Sequence, residues 1–249
     1  MIKLNRPDKP EILVENEADW LAKLKAAIAT YGSYSSIPKD EKVRLISHYR
    51  HQDIKKELFN SSSQKCAFCE SKPSESGNIE VEHFKPKSLY PDFTFDWYNF
   101  LPCCRKCNGN KLDHDTVNEP IINPYETDPE VAFEYHSIRI APKKGELETV
   151  ARRTIDICGL NGGRLMRPRA DILVNLYGFS DAISEAIDDY HSADTQVKKS
   201  NRIRKINQAL EHIELLTETN EKYSAFCRDF LNKNSAYLKA KIILEQVAA

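Results

Sequence analysis

Apolar residues recur at helical spacing along most of this chain. Within 17–31, Trp20, Leu24, Ala27, Ile28 and Tyr31 fall on one face, with Asn16 placed to cap the start and Gly32 to end it. Residues 38–59 read as a second helix, since Pro38 suits a first turn and Val43, Ile46 and Tyr49 share a face. The run Asn60-Ser-Ser-Ser breaks that pattern. Strand-like alternation is confined to two places. Ile79 and Val81 alternate with Glu80 and Glu82, and a run at 133–140 follows a proline-bearing connection that starts at 119. From about Leu147 onward the pattern is helical again, with segments at 165–177, 181–191, 203–216 and 223–247. No repeat or low-complexity tract appears. The chain divides into an N-terminal helical segment, 1–63, an irregular cysteine-rich stretch, 64–118, and a C-terminal part, 119–249, of short strands and helices. The expected fold class is mainly α, with a small metal-organised module between helical segments.

Composition narrows the function classes. A length of 249 residues allows one or two domains, and 41% hydrophobic with 29% charged residues supports a real core and argues against disorder. The longest uncharged stretch, 26–38, is too short and too polar to span a bilayer, and the opening MIKLNRPDKP lacks the apolar run of a secretory signal. A soluble cytoplasmic protein with no membrane partner is expected. Lys plus Arg number 36 and Asp plus Glu 37, so any nucleic-acid contact must use local patches rather than a basic surface.

Four of the seven cysteines form two Cys-x-x-Cys pairs, Cys66/Cys69 and Cys104/Cys107. One pair alone would leave a redox motif open. Two pairs favour a four-thiolate zinc site, with sulfur ~2.3 Å from the metal and no open coordination position, hence a structural ion. Cys103 abuts Cys104 and is ambiguous, while Cys158 and Cys227 sit among apolar residues as core thiols.

Between the knuckles lies Ile79-Glu-Val-Glu82-His83, then Trp97-Tyr-Asn99-Phe-Leu, then Cys104-Arg105-Lys106-Cys107-Asn108 and Lys111. This order resembles the HNH endonuclease motif, which folds as a ββα-metal finger stabilised here by zinc. The resemblance implies His83 as general base, Asn99 as the residue holding the loop that bears it, and Asn108 and Glu82 as ligands of a catalytic divalent ion. Asp is commoner than Glu in the family at the acidic position, and His is common where Asn108 stands. The residue types suit the chemistry on their own terms. A histidine with an ordinary pKa of ~6.5 can take a proton from water near neutral pH. Carboxylate and amide oxygens suit a hard ion such as Mg²⁺ or Mn²⁺. Lys85, Lys87, Arg105, Lys106 and Lys111 flank the site as candidate phosphate contacts, with solvated lysines as the plain alternative. His114 is a candidate extra ligand or a surface histidine.

A narrower resemblance covers scattered blocks over roughly 1–165: the opening MIKLNRP, Cys-x-x-Cys-Glu at 66–70, EHFKPKS at 82–88, INPY at 122–125 and TIDICGLN at 154–161. These are similar to the PtuB family, the HNH subunit of Septu-type anti-phage systems, which also occurs with retrons. The resemblance implies an ABC-type ATPase partner (PtuA-like), a nucleic-acid substrate of DNA or RNA, and in a retron setting a reverse transcriptase with its multicopy DNA. Two other functions remain open at the sequence level: a stand-alone restriction-like nuclease, and a non-catalytic zinc-finger adaptor. Basic clusters at Arg164, Arg167, Arg169 and at Lys198, Lys199, Arg202, Arg204, Lys205 read as solvated helix faces, a phosphate track or a docking surface for an acidic partner.

Overall fold

The computed structural model describes residues 1–72 and 79–248; the 64–118 stretch read from the sequence therefore includes 73–78, which lie outside the described residues. The chain forms two compact units, Met1–Phe133 with Pro142–Leu160, and Glu134–Ala141 with Asn161–Ala249. Among the described residues it is mainly helical, with two small two-stranded sheets.

In the first unit, helix α1 (Glu11–Tyr31) starts six residues ahead of the predicted position, directly after Pro10. Pro10 has the extended conformation of a residue flanking a helix, and its carbonyl accepts from the Leu13 and Val14 N–H groups. Asn16 is therefore not a cap. It lies inside the helix and its Nδ2 donates to the Ile12 carbonyl at 3.0 Å. Gly32 does end the helix, at φ 82, a left-handed conformation that glycine adopts without strain.

The single helix predicted over 38–59 is two, α2 (Lys39–Ile46) and α3 (Gln52–Ser61), joined by a 3₁₀ turn at Ser47–Arg50. The break is at His51, whose backbone turns extended and whose Nδ1 accepts from the Asp53 N–H at 3.3 Å, capping α3. Its consequence is positional. Tyr49 enters the core, while α3 buries Ile54 and Leu58. These residues join Leu13, Trp20, Leu24, Val81, Phe95, Trp97 and Phe100 in one apolar cluster.

Two antiparallel strands lie against this cluster: β1 (Ile79–His83) and β2 (Phe100–Cys104), in a register that pairs His83 with Phe100, Glu82 with Leu101 and Glu80 with Cys103. A short helix, α4 (Arg105–Lys111), follows β2 without a loop. The 133–140 run, expected as one strand, is a hairpin: β3 (Phe133–His136) pairs with β4 (Arg139–Pro142), and the chain reverses through Ser137 at φ 53. Helix α5 (Glu148–Cys158) completes the first unit. At its end Gly159 adopts φ 63, and a Cβ there would come within 2.4 Å of Asn110 Nδ2, which donates to the Cys158 carbonyl at 3.2 Å.

The second unit is built on α6 (Gly163–His191), α7 (Gln196–Leu215), α8 (Ser224–Lys233) and α9 (Ser235–Ala248). Helix α6 is continuous where the sequence suggested separate segments at 165–177 and 181–191. A glycine inside a helix costs only about 1 kcal/mol relative to alanine. The buried stripe Leu176, Ile183, Ile187 continues through Gly178 and outweighs that cost. Conversely, the predicted 223–247 helix is split. Asn234 turns extended and its Oδ1 accepts from the Tyr237 N–H at 2.9 Å, starting a new helix. Helices α6 and α7 pack along each other, with α9 against both. Among the described residues no helix is long and apolar enough to cross a membrane.

Candidate functional site

The first element of the site is a sulfur cluster. The Sγ atoms of Cys66, Cys69, Cys104 and Cys107 are buried and all within 4.8 Å of one another. The Cys69 and Cys104 sulfurs are 3.8 Å apart. A tetrahedral ion with bonds of ~2.3 Å requires an edge of ~3.8 Å, so these four residues fit zinc and are the set that could hold it. The backbone explains how they meet. Glu70, at φ 60, closes a tight turn by donating its N–H to the Cys66 carbonyl. The Ala67 N–H donates to the Pro102 carbonyl at 2.8 Å, stitching that turn to β2. Cys104 ends β2, and its sulfur accepts from the Cys107 N–H at the start of α4. The buried Glu70 carboxylate is matched by the Lys65 ammonium and the Met1 amino group, which offsets the cost of burying it. Cys103 stands outside the four. Its sulfur lies 3.9 Å from that of Cys66, and burial pushes its thiol up, so it stays protonated. Burial likewise raises the thiol of Cys158, an inert core group.

The second element is an open cleft of about 660 Å³ at the end of β1, lined by Glu80, Glu82, His83, Lys87, Arg105 and Asn108 among others. His83 is 4% exposed, and its ring meets those of Tyr49 and Phe100 edge-on, with centroids 4.6 and 5.1 Å away. Its Nε2 lies 2.9 Å from the Thr94 carbonyl. A carbonyl only accepts, so Nε2 carries the proton and Nδ1 keeps its lone pair. Burial, reinforced by the Lys87 charge, holds the imidazole down to about 3, so it is neutral near pH 7.

Asn99 closes the loop that follows His83. Its Oδ1 accepts from the Lys85 N–H at 2.7 Å, and its Nδ2 donates to the carbonyls of Lys85 and Phe93. The Phe84 N–H also reaches the Asn99 carbonyl, at 2.8 Å. From α4, Asn108 donates through Nδ2 to Glu80 Oε2 at 2.6 Å. Glu80 escaped the sequence reading, although strand alternation sets it on the same face as Glu82. The Thr94 carbonyl also escaped it, and no residue-type pattern signals a backbone acceptor.

The candidate cations separate. Lys87 and Arg105 line the cleft. Lys106 is exposed beside it, in a shallow depression with Gly109 and Asn110. Lys85 sets its Nζ 3.9 Å from the Phe93 ring centroid. Lys111 corrects its expected placement among the solvent-facing contacts. It is 1% exposed, and its Nζ donates to Glu82 Oε1 at 2.6 Å and to the His83 carbonyl at 3.0 Å. The cause is geometric, since the last turn of α4 packs against β1 and brings Lys111 under the strand. Burial pushes the Glu82 carboxyl up and Lys111 opposes that rise. Lys111→Met should therefore leave a buried carboxylate without its counter-charge and destabilise the first unit by about 3–5 kcal/mol. Urea unfolding checks this, and adding Glu82→Gln to the same protein should recover most of the loss. His114 lies apart from the sulfurs, with Nε2 2.8 Å from the Glu119 carbonyl. In the second unit Arg169 is buried, donates to the Ile138 carbonyl and lies over Tyr135, so it is no part of a surface cluster. Arg202 and Lys198 pair with Asp189 and Asp194.

Two strands leading into a short helix, pinned by four sulfurs and opening on a polar cleft, define a small metal-knuckle module within a helical protein. No family profile matches the chain. It is similar to Septu protein PtuB of Bacillus thuringiensis, with 29% identity over 247 residues covering 98% of this chain and 87% of that one. Septu protein PtuB of Bacillus mycoides (strain KBAB4) is 26% identical over 209 residues, 69% of this chain and 67% of its own. A 73-residue stretch, 28% of this chain and 23% of the relative, is 36% identical to Protein ea31 of Escherichia phage lambda. The chain is thus similar to Septu protein PtuB along nearly its whole length.

Proposed function

We propose that this protein is a divalent-metal-dependent HNH endonuclease, the effector of an anti-phage defence pair whose other member is an ABC-type, PtuA-like ATPase. The observation that carries the reading is His83. With its Nε2 proton committed to the Thr94 carbonyl, the imidazole keeps the Nδ1 lone pair at the cleft that Glu80, Glu82 and Asn108 share, and the charge of a bound phosphate would offset the burial that weakens it as a base. In the proposed reaction Nδ1 takes the proton of the water that attacks the scissile phosphorus. Asn99 keeps the 84–98 loop closed, so the Thr94 carbonyl stays where it fixes the tautomer. The four cysteines hold zinc as a structural ion. Glu82 and the Asn108 amide oxygen would hold Mg²⁺ or Mn²⁺, which stabilises the charge developing on the phosphate and leaving oxygens. The donor chemistry fits a hard ion. Lys111 occupies Glu82 Oε1 and leaves Oε2, and Glu80 engages Asn108 Nδ2 and leaves its Oδ1. Lys87, Arg105, Lys106 and Lys85 supply phosphate contacts.

The reading is tested on the protein co-purified with its partner ATPase, supplied with plasmid DNA, single-stranded DNA and tRNA. Cleavage of at least one substrate with Mg²⁺ or Mn²⁺, and none with EDTA, is the expected result. Asn108→Ala should raise the Mn²⁺ concentration needed for half-maximal cleavage by about tenfold or more. No cleavage of any of the three with either ion would end the proposal.

A further inference from the structure

The cleft does not stop at the cysteine-pinned module. A second groove, of about 400 Å³, shares Glu80, Arg105 and Asn108 with it. Its far wall comes from elsewhere in the chain: Tyr49 and Arg50 from the 3₁₀ turn, and Lys55 from α3. Tyr49 couples the two spaces. The Arg50 guanidinium lies 5.2 Å from the centroid of its ring and Lys87 Nζ, on the cleft side, 5.5 Å from the same point. Arg50 Nε donates to Tyr49 Oη at 3.1 Å, which leaves the other guanidinium nitrogens to solvent. Among the described residues none of Arg50, Lys55, Lys87 and Arg105 is ion-paired with a carboxylate. The acidic groups facing them are largely engaged: Glu82 with Lys111, Glu80 with Asn108, leaving Asp113 at the rim of the cleft. Against these four cations the combined channel sets two carboxylates that no cation pairs with among the described residues, Glu80 and Asp113, so its balance is net positive.

We propose that the second groove continues the substrate channel. It binds the phosphodiester backbone to one side of the cut, with Arg50 and Lys55 as phosphate contacts and Arg105 at the junction. The proposal rests on the nuclease reading and adds a binding site outside the HNH residues. A guanidinium and an ammonium on one wall suit successive phosphates, and neutralising them releases condensed counterions, so their contribution must depend on salt.

The test is binding, measured by fluorescence anisotropy across a salt series with short labelled single-stranded DNA, single-stranded RNA and duplex DNA, in a His83→Ala background that prevents cutting. The Arg50→Gln/Lys55→Gln double variant should weaken binding about tenfold or more. It should also flatten the log–log salt slope by about 1.4 for single strands or about 1.8 for duplex, as expected when two phosphates are no longer neutralised. Lys56→Gln, on the same helix but outside the groove, should change neither. The substituted side chains are exposed or half-exposed, and a thermal melt verifies that the fold is kept. Parental affinity and slope in the double variant, or an equal loss in Lys56→Gln, overturns the proposal. If protein with His83 intact cleaves while the double variant binds like its parent, only the channel falls. If the unaltered protein neither binds nor cleaves, the nuclease reading falls and takes the channel with it.

Discussion

Cys66→Ser or Cys107→Ser will strip the protein of its metal and unfold the first unit. The four sulfurs join two segments far apart in sequence, the turn at 66–70 and the end of β2 with α4. Apart from sulfur contacts, the turn at 66–70 is tied to β2 by the Ala67 to Pro102 hydrogen bond, and α4 is only two turns long. Metal binding at such a site contributes about 10 kcal/mol or more to folding. That is comparable with the whole stability of an ordinary domain, about 5–15 kcal/mol. Serine replaces a thiolate with a poor zinc ligand and leaves three sulfurs crowded in an apolar setting. Metal analysis should fall from one equivalent of zinc per chain to near none, and the thermal transition of the first unit should vanish or drop steeply. Chelation of the unaltered protein should produce the same change. Cys158→Ser, at a thiol remote from the tetrad in role, should keep its zinc. A Cys66→Ser protein that melts with the unaltered curve would refute the metal site.

His83→Ala will remove cleavage while the zinc content stays at one equivalent. Loss of a positioned general base typically costs about 10²–10⁴-fold in rate. The fold should survive because the ring lies at the end of β1, where strand pairing with Phe100 is through the backbone. Some destabilisation is expected, since Tyr49 and Phe100 both pack on the imidazole edge-on. Initial rates on the substrate cut by the unaltered protein, read beside circular dichroism and metal analysis, separate the two effects. A variant that cleaves at the parental rate would remove His83 from the reaction.

The parts of this site that were legible in the sequence are those fixed by spacing. Cys-x-x-Cys defines a turn whose two sulfurs face one point, and the pairing of such turns follows from tetrahedral coordination. The alternation Ile79, Val81 against Glu80, Glu82 defines a strand with one apolar face, and Val81 is indeed in the core. What stayed hidden depends on tertiary partners. Lys111 looks like any solvated lysine, and only the packing of α4 on β1 makes its ammonium the counter-charge of Glu82. The break at His51 needs one residue to leave helical conformation in a segment whose apolar periodicity continues, and the gain is Tyr49 beside His83, far away in sequence. Gly178 and Asn234 make the same point in opposite directions. The glycine sits within an uninterrupted buried stripe and does not end its helix, whereas the asparagine, a weaker breaker by reputation, supplies a cap and does.

The two compact bodies are interleaved along the polypeptide, and that limits how the gene can be dissected. The chain leaves the first body after Phe133, returns at Pro142 and leaves again after Leu160. A truncation at 133 would discard α5, and with it the carbonyl of Cys158 that receives Asn110. A truncation at 160 would keep an orphaned hairpin whose Ile140 amide and carbonyl both bond to Asn161, the first residue removed. A stop codon after 160 therefore keeps the whole first body but leaves 134–141 attached without the rest of the second, and no single stop yields the first body alone. Clean separation calls for replacing 134–141 with a short linker before the chain is cut.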